Sequence, residues 1–332
     1  MAGLYEGDLV LRKQEVGDKI FLLNPIKTPK MNLIRRGKKP KDFLSSWPLK
    51  KFADRGFAAA GEKDKTTFGS TNRTPVSAYG MIVESDGWFV GKAAAVVETA
   101  GVADEVAEQK TDDGALFALQ IEKQIGSDVD TRAKAGSDEY RSRGMFSWLS
   151  PTAQGVLPVP TGFRPGSDCV YTGTLAGWIP SQMVSILTAM YKQRKDKVDL
   201  KMMCGIDLKA AMSNWVEKLP IDSASNLFTQ WNRDPAKKEL MTILDVFKFD
   251  AGYVTAMLDD NLLCDETTGA ETAYSPKSGL LIDPDMWEMA YLSKPRHLDL
   301  ADGGGGKRGF HDAMYILKCM LAAGQGYVKL NS

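Results

Sequence analysis

The chain has 332 residues, room for two domains of roughly 150 residues each or one large unit with excursions. A hydrophobic fraction of 43% and a charged fraction of 25% exclude collagen-like, disulfide-stapled and wholly disordered classes. Lysine plus arginine number 42 and aspartate plus glutamate 42, so no global field favours nucleic acid or an anionic membrane and any electrostatic function must be local.

Residues 1–10, MAGLYEGDLV, lack the basic and apolar regions of a secretory signal, and no apolar run reaches the roughly 18 residues of a membrane span. A soluble, unsecreted chain is expected. Residues 1–45 read as a polar, irregular leader broken by Pro25, Pro29 and Pro40, with no core of its own. Within it, Lys27, Lys30, Arg35, Arg36, Lys38, Lys39 and Lys41 form a basic block with no acidic residue. Residues 46–75 carry Trp47, Phe52, Phe57 and Phe68 among glycines and lysines and read as an extended loop or long hairpin, a length that should either project and be functional or be disordered.

Val76 to Val83 and Trp88 to Val97 read as two strands paired across the turn Glu84-Ser85-Asp86-Gly87. From Val102 to Ile125 apolar or small residues recur at three-and-four spacing, with Asp104 and Glu105 in the first turn, which predicts a helix of roughly 35 Å. Gly126 is its stop, and Gly114 within it suggests close approach of another backbone. Eleven acidic residues face four basic ones between Glu98 and Glu139, so the polar face of that helix is expected to be acidic. Attraction between it and the basic block can be satisfied within one subunit or between subunits.

After the proline-rich connector 151–165, Ser181 to Gln193 and Asp207 to Leu219 show helical spacing, Glu239 to Leu263 reads as two strands around Gly252, and Met314 to Leu321 as a strand. The class is α+β without an internal repeat.

Site motifs are sparse. Gly304 to Gly309 satisfies G-x-G-x-x-G, but only 23 residues follow and none is acidic where a ribose partner belongs, so a flexible turn is expected. Lys307 is followed by Arg308, which fails the phosphate-loop pattern. The two histidines, His297 and His311, show no metalloprotease spacing, and no G-x-S-x-G elbow exists. Cys169, Cys204, Cys264 and Cys319 lie 35, 60 and 55 residues apart without a C-x-x-C pair, which predicts free thiols in a reducing compartment. Nothing marks an enzyme, and no catalytic residue, cofactor or metal is expected. A competing reading makes the basic arm 27–41 with Phe43, Trp47 and Phe52 a nucleic-acid platform. Because the rings follow the charges instead of interleaving with them, an arm lying on protein is favoured.

Several ordered motifs then carry a resemblance. They are Asn24-Pro25-Ile26-Lys27-Thr28-Pro29; Val90 to Gly101 ending in Thr99-Ala100-Gly101; Leu119-Gln120-Ile121-Glu122-Lys123; and Arg141-Ser142-Arg143-Gly144 leading to Trp148-Leu149. Leu280-Leu281-Ile282-Asp283-Pro284, Ala290-Tyr291-Leu292 and Asp302-Gly303 follow. In this order the chain resembles the major capsid proteins of tailed bacteriophages with the Hong Kong 97-type fold, especially a group long catalogued only as a domain of unknown function. The resemblance implies an α+β subunit with an N-terminal arm over 1–45, an extended loop over 46–75, a peripheral domain over 76–165 built on a spine helix at 102–125, an axial domain over 166–294 and a C-terminal return to the peripheral domain over 295–332. It implies pentamers and hexamers in an icosahedral virion capsid around double-stranded DNA, assembled in the host bacterial cytoplasm with portal, scaffolding and decoration proteins and without a membrane. Arg35, Arg36, Lys38, Lys39, Trp47, Phe52 and Phe57 are then the candidate intersubunit contacts. Pro48 is expected to interrupt a strand ladder in the loop, and the first quarter of the chain to be completed by other copies, so that a chain lacking residues 1–40 keeps a folded core but forms no shells.

Overall fold

A computed structural model describes residues 27–52, 73–96, 104–217, 233–234, 239–240, 245–250, 252–263, 275–301 and 305–331. Readings that rest on residues 1–26, Phe57 and the rest of 53–72, Thr99-Ala100-Gly101, Leu219, Cys264, and Asp302-Gly303-Gly304 lie outside them. In chain order the elements are α1 (Pro29–Leu33), β1 (Arg35–Arg36), β2 (Leu44–Lys50), β3 (Arg73–Tyr79), β4 (Met81–Glu84), β5 (Trp88–Gly91), α2 (Glu105–Ile125) and α3 (Met145–Trp148). There follow β6 (Tyr171–Thr174), α4 (Pro180–Arg194), β7 (Val198–Cys204), α5 (Ile206–Glu217), β8 (Arg233–Asp234), β9 (Glu239–Leu240), β10 (Val246–Phe249), β11 (Gly252–Leu258), β12 (Ser278–Ile282), β13 (Trp287–Leu300), β14 (Gly306–Cys319) and β15 (Gly326–Asn331). The described residues divide into a smaller unit, within 84–118 and 296–312, and a larger one, within 28–83, 119–295 and 313–332.

The larger unit is organised by a six-stranded sheet in the order β10-β11-β7-β12-β15-β6. All five residues of β12 are buried, as a strand covered on both faces requires, and its run Leu280-Leu281-Ile282 is correspondingly apolar throughout. Helix α4 starts with Pro180 in its first turn, where a missing N–H costs nothing, and buries Met183, Ile186, Leu187 and Met190 at three-and-four spacing. It stops at Lys195, whose left-handed φ of 55° lets its N–H reach the Tyr191 carbonyl. These side chains pack with Trp178, Leu200, Met202, Val254 and Leu281 in one core. Within the span read as the C-terminal return, 295–332, β15 pairs with β12 and β6 in this sheet, and Val328 and Leu330 are buried in the same core.

A five-stranded sheet has the order β1-β13-β14-β4, with β5 also on β14. The strands expected to pair across Glu84-Ser85-Asp86-Gly87 therefore do not pair with each other; both add to β14. Turn geometry alone does not choose the partner, and the long β14 offers ladder bonds to both. The glycine run expected as a turn enters this ladder too, with Gly306 opposite Gly91 and Gly309 opposite Trp88. At Gly306 the φ of +146° and the nearby Val90 carbonyl exclude a side chain.

Residues Leu44–Lys50 and Arg73–Tyr79 pair as a two-stranded antiparallel sheet of β2 and β3. Pro48 does not interrupt it, because it lies opposite Pro75. Each strand of a two-stranded sheet has a free edge, so a proline whose absent N–H faces that edge breaks no ladder bond.

Helix α2 begins where Asp104 Oδ1 accepts hydrogen bonds from the N–H groups of Val106 and Ala107, at 3.0 and 3.3 Å. Its buried positions are Asp113, Phe117, Ile121, Glu122 and Ile125, so two carboxylates stand on the face expected to be apolar. Gly114 gives room to a side chain, not a backbone: a Cβ there would lie 3.4 Å from His311 Nε2.

Candidate functional site

The arm is built around one lysine. α1 is too short to be stable alone, and Lys30 fixes it to the larger unit. Its Nζ lies 2.6 Å from Asp259 Oδ2 and 3.2 Å from Glu122 Oε1, with all three side chains fully buried. The same Nζ donates to the Asn261 carbonyl at 3.0 Å. Glu122 also accepts from the N–H groups of Lys30 and Met31, at 2.7 and 3.0 Å, satisfying donors at the start of α1. Burial raises the Glu122 carboxyl above its ordinary range, and the Lys30 charge and backbone donors oppose that rise. At Gly126 a Cβ would strike the Asn261 carbonyl and the Lys30 side chain, so glycine closes the anchor as well as the helix.

The leader was expected to lack a core of its own and to be completed by other copies, yet part of it is seated on its own chain. Residues 28–36 pack on their own chain: β1 pairs in parallel with β13, Arg35 opposite Glu288 and Arg36 opposite Met289, and Ile34 is buried. A chain lacking residues 1–40 would lose Lys30 and leave two buried carboxylates without their cation. Nothing in the sequence separates Lys30 from its neighbours in the basic block.

Beyond Lys30 the arm faces outward. Arg35, Arg36, Lys38, Lys39 and Lys41 are exposed. Arg35 donates to the Asp285 carbonyl, while Gly37 N–H donates to the Met289 carbonyl at 2.9 Å. The hairpin alternates along β2, with Leu44, Ser46, Pro48 and Lys50 exposed and Ser45, Trp47 and Leu49 half-buried. Trp47 is turned toward its own chain, its ring 5.8 Å from that of Trp148. Phe43 stacks on Tyr140 at 5.1 Å, and Tyr79 meets the same ring at 5.6 Å. Val76 and Ala78 are buried at the base. Phe52 is 75% exposed, with Lys50 Nζ over its ring at 4.8 Å.

The smaller unit brings together both histidines, which the sequence alone left 14 residues apart. Their rings lie 4.8 Å apart, edge to face, and the only hint in the sequence was their near-equal distance from the glycine run between β13 and β14. His311 Nδ1 and Ser85 Oγ both bond Asp113 Oδ2 at 2.7 Å, and His311 N–H donates to Ser85 Oγ at 2.9 Å. Serine, histidine and aspartate are thus present, but serine and histidine share the carboxylate instead of forming a serine-to-histidine-to-aspartate relay, so no imidazole nitrogen accepts from the Ser85 hydroxyl. Trp88 Nε1 donates to His297 Nε2 at 2.9 Å, which fixes the neutral tautomer. Burial, with Lys110 next, lowers the His297 pKa.

Cys169, Cys204 and Cys319 are buried and unpaired. Burial pushes the thiol of Cys204 up to about 12 and those of the other two upward, so none is a ready nucleophile. Among the described residues no cluster of three or more histidine, cysteine or acidic side chains is placed to hold a metal, and no helix is long and apolar enough to cross a membrane. The described residues present a basic segment anchored through Lys30, the β2–β3 pair, and a helix, α2, with Glu108 and Asp112 exposed.

Those parts belong to a known architecture. The cyanophage P-SCSP1u capsid subunit superimposes with a TM-score of 0.63 at 9% identity, over 96% of this chain and 93% of that one. A capsid chain of cyanophage A-1(L) gives 0.62 at 11% identity, covering 98% and 97%, and the capsid of Myoviridae phage XM1 gives 0.60 at 10%, covering 98% and 100%. The fold is that of phage capsid shell subunits, of the Hong Kong 97 type. A search of curated proteins finds no match. The family model for the SU10 major capsid protein matches residues 4–324, and the chain belongs to that family. It is a phage major capsid protein, a structural component of the virion.

Proposed function

We propose that the chain is the repeating subunit of a closed icosahedral shell of pentamers and hexamers enclosing double-stranded DNA, and that its arm and hairpin are completed by neighbouring copies. The observation that carries this reading is the hairpin. A lone two-stranded sheet is at best marginally stable in water, yet β2 and β3 form one, with alternate residues of β2 exposed and Phe52 open to solvent beyond it. Burial on a neighbour supplies what the hairpin lacks alone, and many such contacts repeated by symmetry close a shell.

In this reading 1–45 is the arm, 46–75 the extended loop, 76–165 the peripheral domain with its spine at 102–125, 166–294 the axial domain and 295–332 the return, with β15 closing the axial sheet. Arg35, Arg36, Lys38, Lys39, Phe52 and Phe57 meet other copies, while Trp47 supports the hairpin from below. Scaffolding, portal and decoration proteins complete assembly in the host bacterial cytoplasm, and packaged DNA is held without sequence preference. The subunit acts as a building block and not as an enzyme.

Sedimentation and negative-stain microscopy of the purified chain test the reading. Shells or rings are expected, and replacement of residues 53–72 by a short glycine-serine linker should leave a folded subunit that forms none. A wild-type chain that stays monomeric in the presence of its scaffolding protein would sink the proposal.

A further inference from the structure

The larger unit contains a cavity of about 760 Å3 whose lining includes Arg36 and Lys39 from the arm and Lys294, Tyr291 and Leu292 from β13. Met31 of α1 also contributes. The three cations are exposed, whereas Met31, Tyr291 and Leu292 are half-buried, so the cavity pairs a cationic rim with a partly apolar wall. Arg36, Lys39 and Lys294 make no ion pair with a described residue. The nearby Glu288 carboxylate, beside Gly37 of the same lining, is paired with Lys318, so three cations gathered at the rim still repel one another and are relieved by a further acidic partner.

The chain carries a surface of the opposite kind. On α2, Glu108, Asp112 and Leu116 follow one another at four-residue intervals and all are exposed, Leu116 at 59%. Residues four apart share a helix face, and these span about 12 Å of axis. Neither Glu108 nor Asp112 forms an ion pair with a described residue. Two carboxylates followed by an exposed leucine match, in kind and in number of parts, a cationic rim beside a half-apolar wall.

We propose that the Arg36–Lys39–Lys294 cavity receives the Glu108–Asp112–Leu116 stripe of α2 from a second copy of this chain. The inference rests on the shell-subunit reading and names one contact within it. Three features favour a second copy over nucleic acid. Equal numbers of cationic and acidic side chains leave the chain neutral, so each subunit brings both halves of the contact. A heterologous contact between unlike patches propagates around a ring or across a shell. Phosphate alone would satisfy the cations and leave Leu116 and the apolar wall in water.

Charge reversal tests it. Arg36→Glu with Lys39→Glu alters the cavity, Glu108→Lys with Asp112→Lys alters the stripe, and a fourth chain carries all four changes. All four side chains are exposed, and circular dichroism checks that each subunit folds. Particle yield is expected to fall by about tenfold or more in either half-reversed chain and to return to within about twofold of wild type when both halves are reversed. A fully reversed chain as impaired as its halves overturns the contact, as does wild-type yield from either half. Normal particles that lose nucleic acid when the cavity is reversed assign the cavity to nucleic acid and overturn it too.

A second experiment uses Lys39→Cys chains mixed with Asp112→Cys chains under mild oxidation, the described native cysteines being buried. Interchain disulfides are expected only in the assembled mixture, and their absence from assembled particles counts against the contact. Failure of the wild-type chain to assemble would strike the shell reading instead, so the two failures are distinguishable.

Discussion

The six-stranded sheet is mixed and the β2–β3 pair wholly antiparallel, and the two meet solvent in opposite ways. In the first, β12 is buried at every position and helices and neighbouring strands close both faces. In the second, one face packs on the chain's own body, with Val76 and Ala78 buried and Trp47 against Trp148, while Leu44, Ser46, Pro48 and Lys50 of β2 stand exposed on the other. The six-stranded sheet buries its central strand on both faces, whereas the β2–β3 pair buries only one. The arm repeats the contrast over a shorter distance: Lys30 is sealed into its subunit, and Arg36, Lys38 and Lys39 are presented outward. If the exposed residues carry assembly as proposed, subunit stability and assembly reside in different residues, and variants should separate them.

The sharpest break comes at Lys30. Lys30→Met removes the cation and leaves Glu122 and Asp259 buried without it, a change that costs about 3–5 kcal/mol. The urea midpoint of the isolated subunit should fall sharply, and loss of particles should follow only as a consequence of unfolding. An unchanged midpoint would show that the anchor does not stabilise the subunit. Next in size, Leu281→Ala in the buried β12 should cost about 2–5 kcal/mol, whereas Leu44→Ser on the exposed face of the hairpin should cost the subunit under about 0.5 kcal/mol. Leu44→Ser should nonetheless reduce particle yield; equal effects of the two on subunit unfolding would erase the distinction between sheet and hairpin.

A smaller effect is set by pH. His297 has a lowered pKa in the fold, so the stability it contributes is present above its ordinary value of about 6.5 and is lost as pH falls from there through the folded value. Amide exchange of Gly306–Gly309, the residues of β14 that pair with β5, should quicken as pH falls below about 6.5, and His297→Gln should flatten that dependence. Exchange with the same pH profile in both proteins, after correction for intrinsic chemistry, would remove the histidine from the account.

Much of this was legible before any coordinates. Helical spacing located α2, α4 and α5 within a few residues, because each buries one apolar stripe and exposes the rest. The two strands around Gly252 were also legible, as β10 and β11. Less legible were the buried charges. Asp113 and Glu122 read as parts of an acidic polar face, and their burial depends on His311, Ser85 and Lys30, which lie 198, 28 and 92 residues away in the chain. No local pattern announces a partner at such separations. Strand pairing was equally hidden for β4 and β5, since a good turn between two strands does not oblige them to pair when a longer strand competes.

The sequence by itself determined the class of chain, the positions of its main helices, the lack of a recognisable enzyme motif and, through the order of its motifs, the capsid family. Those properties follow from local spacing and residue type, which act over a few turns of chain. Only the tertiary structure decided that one lysine of the basic run is an internal anchor while its neighbours face outward, and that the last strand belongs to the six-stranded sheet. Burial of a charge or a strand depends on what packs against it from distant segments, and that information exists only once the chain has folded.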